Sequence, residues 1–174
     1  GRAAILIRRS IDIYENEGKH GYANVCLRNL SNVLRFSGAL RESEMAARRA
    51  LLIARQLSDQ NHESGSLSFL GAVLALRGIK VDSAKALNRS LALARKGQEY
   101  EHYDFQTMRA VWFGQYADAQ MLANKAMTYA QQQRYERGMI RAARLQGEAA
   151  LGFDDLSTAE ERLYHALARA RIVN

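Results

Sequence analysis

The sequence predicts an all-α protein built from antiparallel helix pairs that stack in chain order. Three observations lead to this fold class: a short motif recurs at a long interval, helix-forming residues dominate, and none of the 174 residues is proline. Proline would interrupt a helix because it lacks an N–H donor, whereas Ala, Leu and Arg favour helices. The alternating apolar pattern of a β-strand is missing. We therefore expect about nine helices.

The recurring motif is a five-residue unit with small residues at its first and fifth positions. Four copies begin at Ala50, Ser90, Ala126 and Ala166, and a degenerate copy begins at Ser10. Their first residues are 40, 40, 36 and 40 positions apart. Self-similarity with a period of roughly 20 to 50 residues is typical of proteins that stack one structural unit repeatedly. Each copy is assigned to the second helix of a pair.

A turn precedes each complete copy of the motif. Gly38, Gly78 and Gly114 each stand 12 residues before the first residue of a copy, and Asp154 takes that place in the last pair. Glycine reaches positive φ at low cost and so closes the C-terminus of a helix. Residues 1–174 are accordingly predicted to form a single array. It comprises an unpaired second helix at 1–17 and helix pairs at 22–57, 63–97, 100–134 and 138–172.

Small residues also mark the faces on which the two helices of a pair meet. In the first helices they are Ser31, Gly71, Thr107 and Gly147, and in the second helices Ser43, Ser83, Ala119 and Ala159. Short side chains let neighbouring helices pack closely. Beside them run leucine stripes such as Leu27, Leu30 and Leu34, which we expect in the core.

In the spacing of its small residues and in its turn glycine, the chain resembles the tetratricopeptide repeat. Its 40-residue period and its segment Asn29-Leu30-Ser31-Asn32 are similar to the variant found in kinesin light chains, Leu-Gly-Asn-repeat adaptors and bacterial multidomain signalling ATPases. The common period of the family is about 34 residues. The resemblance implies a right-handed superhelical α-solenoid, whose first helices line a concave groove that holds a protein or peptide ligand.

Helical spacing selects candidate partner-binding residues on that implied groove. They are Arg28, Asn32, Arg35, Asp104, Met108, Trp112, Arg141, Arg144 and Glu148. Arg28 and Asn32, one turn apart, suit a carboxylate or a peptide main chain. Trp112 belongs to the segment 100–116, which holds six of the 14 aromatic residues, and aromatic residues dominate binding hot spots. The alternative is that the polar residues are solvated or paired within the array and that the aromatic residues fill the core.

Catalytic and metal-binding signatures are absent. The sequence has no glycine-rich phosphate loop and no nucleophile elbow, and no two of its four histidines share a short helical spacing. The lone cysteine, Cys26, follows the face of Leu30 and Val33, which favours a small core residue over a nucleophile. With no signal peptide and no apolar run long enough for a membrane span, we expect a cytoplasmic protein that is not an enzyme, with no cofactor, metal or membrane partner.

The net charge of +7 raises an alternative function, nucleic-acid binding. Against it, the aromatic cluster lies beside Glu101 and Asp104, which repel phosphate. A second alternative is the sensor or regulatory arm of a signalling ATPase whose catalytic domain lies outside this chain. Because the sequence lacks a polar capping helix, we expect either a segment of a longer protein or end-to-end self-association.

Overall fold

A computed structural model describes residues 2–95 and 99–173 of the chain, without the side chains of residues 100, 101 and 173. These residues form nine α-helices and no strand, which confirms the predicted all-α class. The helices are α1 (Arg2–Asn16), α2 (His20–Phe36), α3 (Leu40–Gln56), α4 (Gln60–Leu76), α5 (Lys80–Leu93), α6 (Glu99–Trp112), α7 (Tyr116–Gln132), α8 (Glu136–Leu151) and α9 (Leu156–Val173).

The chain divides into two compact units, Gly1–Ala94 with α1 to α5 and Arg95–Asn174 with α6 to α9. The helix pairs begin one to three residues earlier than the sequence predicts. Residues 96 and 97 of the predicted pair 63–97 lie outside the described residues. The single array over residues 1–174 stays a prediction.

A residue with positive φ follows most helices, at an interval of 20 residues within each unit. These residues are Gly18, Gly38, Ser58 and Gly78 in the first unit and Gly114, Arg134 and Asp154 in the second. At the first pair the Ala39 N–H donates to the Leu34 carbonyl at 3.0 Å and the Gly38 N–H to the Arg35 carbonyl at 3.2 Å. This pattern satisfies the last carbonyls of α2 as a Schellman turn does. Each full-length helix and its turn therefore occupy half of the 40-residue repeat.

The 36-residue step of the motif falls where two successive helices are short. α5 and α6 have 14 residues each, whereas α2, α3, α4 and α7 have 17. α5 ends at Ala94, whose backbone is extended with ψ 139° rather than left-handed. The repeat thus loses its regular length at the point where the chain divides into its two units.

Within each unit every helix packs against its neighbours in sequence. The first helices also pack closely on each other, α2 against α4 and α6 against α8, whereas no such close backbone approach joins successive second helices within the described residues. The first helices are therefore closer together than the second helices. Each unit curves toward the side that its first helices line.

The predicted small-residue faces are the places where paired helices touch. The Ser43 hydroxyl donates to the Ser31 carbonyl at 2.7 Å, and Ser83 donates to the Gly71 carbonyl at 2.7 Å. A methyl group at Gly71 would lie 2.5 Å from Cγ of Leu87, which is far inside van der Waals contact. The leucine stripe of α2 is buried in the core between α1 and α3. The sequence therefore predicted both the close helix contacts and the core beside them.

Candidate functional site

The exposed face of α2 carries an aromatic side chain near each end of the helix. Tyr22, Asn29 and Phe36 recur every seven residues, which is two helical turns, and all three are exposed. Tyr22 is 63% exposed and Phe36 is 77% exposed. Large apolar side chains so accessible to water on one helix face are typical of an interaction surface.

Phe36 has an equivalent in the other first helices. Leu76 of α4 and Trp112 of α6 share its position, two residues before the turn glycine, and both are exposed. After α8 the same position is Gly152, where a methyl group would overlap the ring of Tyr116. An exposed apolar residue therefore occupies this position in three of the four helix pairs.

Arg28, a candidate from the sequence, crosses the contact between α2 and α4. Its guanidinium lies against Gly65 of α4, where a methyl group would overlap Nη1. Because Gly65 has no side chain, the guanidinium of Arg28 can occupy the space beside it. Arg28 is half-buried, so the structure places it at the junction of two first helices rather than out in solvent.

Asn32 and Arg35 are brought together on α2. Nη2 of Arg35 donates to Oδ1 of Asn32 at 2.6 Å. The same guanidinium lies 4.5 Å from the centre of the Phe36 ring, within the range of a cation–π contact. The three side chains form a cluster in which an amide oxygen orients a planar cation against an exposed ring.

In the second unit the charged candidates pair with each other. Asp104 of α6 is 4% exposed, and its carboxylate lies 3.8 Å from Nη1 of Arg141 on α8. Arg144 forms an ion pair with Glu148, one turn along α8. Met108 is half-buried, and Trp112, the last residue of α6, is exposed. The structure brings Asp104 to Arg141 and Arg144 to Glu148, while Trp112 offers an accessible ring.

Sequence reasoning missed Tyr22 and Phe36, although a signal for Phe36 was present. Aligning the first helices on their turn residues puts Phe36, Leu76 and Trp112 in one register. The sequence predicts Trp112 instead, because its neighbours in sequence are aromatic. Tyr22 stacks on Tyr14 of α1 at a ring separation of 5.3 Å, which only the fold reveals.

Other chemistry-bearing residues form no second site among the described residues. Cys26 is half-buried against the leucine core of α2, and burial raises the pKa of its thiol. A raised pKa lowers the thiolate fraction, so the sulfur is a poor nucleophile.

Within residues 2–95 and 99–173, no three histidine, cysteine or acidic side chains group as a metal site would require. None of the described helices combines the length and the apolar character that crossing a membrane requires.

Comparison with known proteins supports the fold. No family model matches the chain, and no curated protein matches it. Among solved structures it is similar to BtubC (BKLC) from P. vanneervenii, with a TM-score of 0.68 and 12% sequence identity over 99% of this chain and 83% of that one. This likeness shows a helical-repeat fold, as the sequence predicted.

Proposed function

We propose that this protein is a non-catalytic scaffold segment that binds a protein or peptide on the exposed face of its first helices. The observation that carries the proposal is the cluster of Asn32, Arg35 and the highly exposed Phe36, with Leu76 in the same register on α4. Helical repeats present extended concave surfaces to their partners. Aromatic and arginine side chains are enriched among residues that dominate binding energy.

The chemistry of this face favours an extended peptide with apolar side chains and at least one carboxylate. Tyr22 and Phe36 are 14 residues apart on one helix, or about 21 Å. An extended peptide covers that distance with about six or seven residues. The positive charges of the half-buried Arg28 and the buried Arg35 favour a carboxylate on the ligand, and the rings at either end take apolar side chains. In the second unit Trp112 supplies one ring, and Arg141, which pairs with Asp104, supplies a cation.

Peptide selection followed by calorimetry tests the proposal. A phage-displayed library of random 12-residue peptides is selected against the protein, and the dissociation constants of enriched peptides are measured for Phe36→Ala, Arg28→Ala and Trp112→Ala variants. We expect each variant that touches the ligand to weaken binding about tenfold or more, at about 1.4 kcal/mol per tenfold change. Unchanged helicity in circular dichroism shows that each variant is folded.

Leu52→Ala is the matched control, because Leu52 is an exposed apolar residue on a second helix, α3. It should leave peptide affinity unchanged. A selection that enriches no peptide, or peptides whose affinity depends on Leu52 and not on Phe36, contradicts the proposal.

Nucleic-acid binding is a weaker alternative, since several arginines already have acidic partners. Arg8 pairs with Glu42 at 2.8 Å, and Arg55 pairs with Glu63 at 3.2 Å. Such pairs reduce the cationic field available to phosphates. Gel shifts with a nucleic-acid probe at low and high salt test this alternative, because nucleic-acid binding should be detectable at low salt and fall steeply as salt rises. A regulatory arm of an ATPase, a cytoplasmic location and end-to-end self-association stay predictions from the sequence.

A further inference from the structure

A second surface lies between the second helices α1 and α3, on the side away from the contact of α2 with α4. It is a groove of about 660 Å³ whose floor includes Ile11 and the α2 leucines Leu27, Leu30 and Leu34. Clefts of roughly 300 to 1,000 Å³ are the usual size of ligand pockets. The floor residues Ile11, Leu27, Leu30 and Leu34 are each less than 7% exposed, whereas Met45 and the charged rim residues are accessible to water.

Ion pairs join α1 to α3 at both ends of this groove. Nη2 of Arg8 lies 2.8 Å from Oε2 of Glu42, and Nη2 of Arg49 lies 2.6 Å from Oε2 of Glu15. Glu42 and Arg49 are seven residues apart on α3, which is about 10 Å along the helix. A partner helix therefore has no room to lie lengthwise between the pairs. The space suits one large apolar side chain of a segment that crosses the groove.

Two charges on the rim have no dedicated opposite partner. Glu44 is buried and is shared by two cations, Arg48 and Arg77. The two arginines carry two positive charges and Glu44 carries one negative charge, so one positive charge is not balanced. Arg48 is the arginine of this group that lines the groove. Asp12 also lines the groove, from α1, and forms no ion pair with any residue in the described part of the chain. The rim therefore carries an excess cation on α3 and an excess anion on α1.

The corresponding positions of α3 and α5, one repeat later, show that this chemistry is not a by-product of the repeat. Forty positions after Asp12, Met45 and Arg48 stand Leu52, Lys85 and Asn88. Met45 is 71% exposed at the edge of the first groove, and methionine adapts its shape to an inserted apolar group. The combination of both excess charges with a methionine occurs in the α1–α3 groove and is lost one repeat later.

We propose that the α1–α3 groove is a second docking surface, for a peptide segment that inserts one large apolar side chain between an acidic and a basic residue. The apolar side chain occupies the floor over Leu27, Leu30 and Leu34. The acidic residue of the partner pairs with Arg48, and the basic residue pairs with Asp12. This surface lies on the second-helix side of the unit and is independent of the proposed peptide face on α2.

The probe is the blocked peptide acetyl-Glu-Ala-Leu-Ala-Lys-amide, titrated into ¹⁵N-labelled protein and followed by backbone amide shifts. We expect saturable shifts confined to α1, α3 and the middle of α2, and none when the leucine of the probe is replaced by serine. Met45→Glu should weaken binding tenfold or more by placing a charge at the edge of the groove, beside the inserted apolar side chain. Met121→Glu is the matched control at an exposed methionine of α7 and should change nothing.

A charge reversal makes the test independent of stability. Asp12→Arg alters an exposed residue, and it should switch the preference of the protein to acetyl-Glu-Ala-Leu-Ala-Glu-amide by tenfold or more. Equal affinity of the wild-type protein for both probes, or full binding by the Met45→Glu variant, would overturn the proposal. Amide shifts in the groove that depend on protein concentration without peptide would show a second copy of the chain as the occupant and would overturn it equally.

Discussion

The two units use the same backbone repeat but fill its closest helix contacts with different chemistry. In α3 and α5 of the first unit three of the four small positions are serines and the fourth is Ala50. Ser43, Ser83 and Ser90 each donate to a carbonyl of the paired first helix at 2.7 Å. In the second unit the corresponding positions are alanines, represented by Ala119 and Ala126, which are fully buried. The repeat therefore requires small volume at these positions, and the hydroxyl is an addition that only the first unit carries.

The units also differ at a buried position of the first helices. Ser68 of α4 is buried, and its hydroxyl lies 2.6 Å from that of Ser90. The equivalent residue of α6, 36 positions later, is Asp104, which faces Arg141. α4 satisfies this position with neutral hydroxyls and α6 with a charge, whereas the equivalent residue of α2, 40 positions before Ser68, is the half-buried Arg28. The contact of α6 with α8 should therefore be more sensitive to the loss of a partner than the contact of α4 with α5.

The largest effect is expected where both units depend on small volume. Ser43→Leu in the first unit and Ala119→Leu in the second each force a bulky side chain into a fully buried helix contact. Overpacking of this kind costs about 3 kcal/mol or more. Urea unfolding followed by circular dichroism should show a large loss of stability for both variants. Arg41→Leu and Asp118→Leu, exposed residues near the starts of the same helices, should differ from wild type by less than about 0.5 kcal/mol. Retention of wild-type stability by either buried variant would contradict the shared role of small volume.

The fold was predictable because closely packed helices require small residues at their contacts, and these residues are visible in the sequence. A position that tolerates only Gly, Ser or Ala, such as Gly71 against Leu87, recurs with the repeat and can be read without coordinates. The turns at Ser58 and Arg134 were not predictable, since these residues adopt positive φ without being glycine. The site was only partly predictable. The contacts of Arg28 with Gly65 and of Asp104 with Arg141 join different first helices, and helical spacing within one helix carries no information about them.

An intermediate loss of stability is expected when the cation beside Asp104 is removed. Arg141→Ala leaves the buried Asp104 carboxylate without its cation from α8. Loss of one partner of a fully buried pair costs about 3–5 kcal/mol. Because the Arg141 side chain is 49% exposed, we expect a smaller loss of about 1–2 kcal/mol after solvent screening. The equilibrium free energy of unfolding measures it.

The double variant Asp104→Asn with Arg141→Ala separates the charge from the shape of the site. Asparagine keeps the volume of aspartate without its charge, so the double variant should recover at least half of the stability that Arg141→Ala loses. A double variant no more stable than Arg141→Ala would mean that Arg141 acts by packing rather than by balancing Asp104. In the first unit Ser68→Ala, at the equivalent position, is expected to cost no more than a single neutral hydrogen bond, about 0.5–1.5 kcal/mol.

The smallest effect is expected from exchanging the chemistry of the two units. Ser83→Ala removes the hydroxyl that donates to the Gly71 carbonyl but leaves that carbonyl inside the hydrogen-bond ladder of α4, so the cost should be about 0.5–1 kcal/mol. Ala119→Ser places a hydroxyl at the same register of α7, where the carbonyl of Thr107 corresponds to that of Gly71. If the backbones of the two units are equivalent at this contact, the new hydroxyl finds its acceptor and stability changes by less than about 0.5 kcal/mol. A loss of 2 kcal/mol or more would mean that the new hydroxyl is buried without a hydrogen-bond partner. The contact between α6 and α7 would then differ in geometry from the contact between α4 and α5.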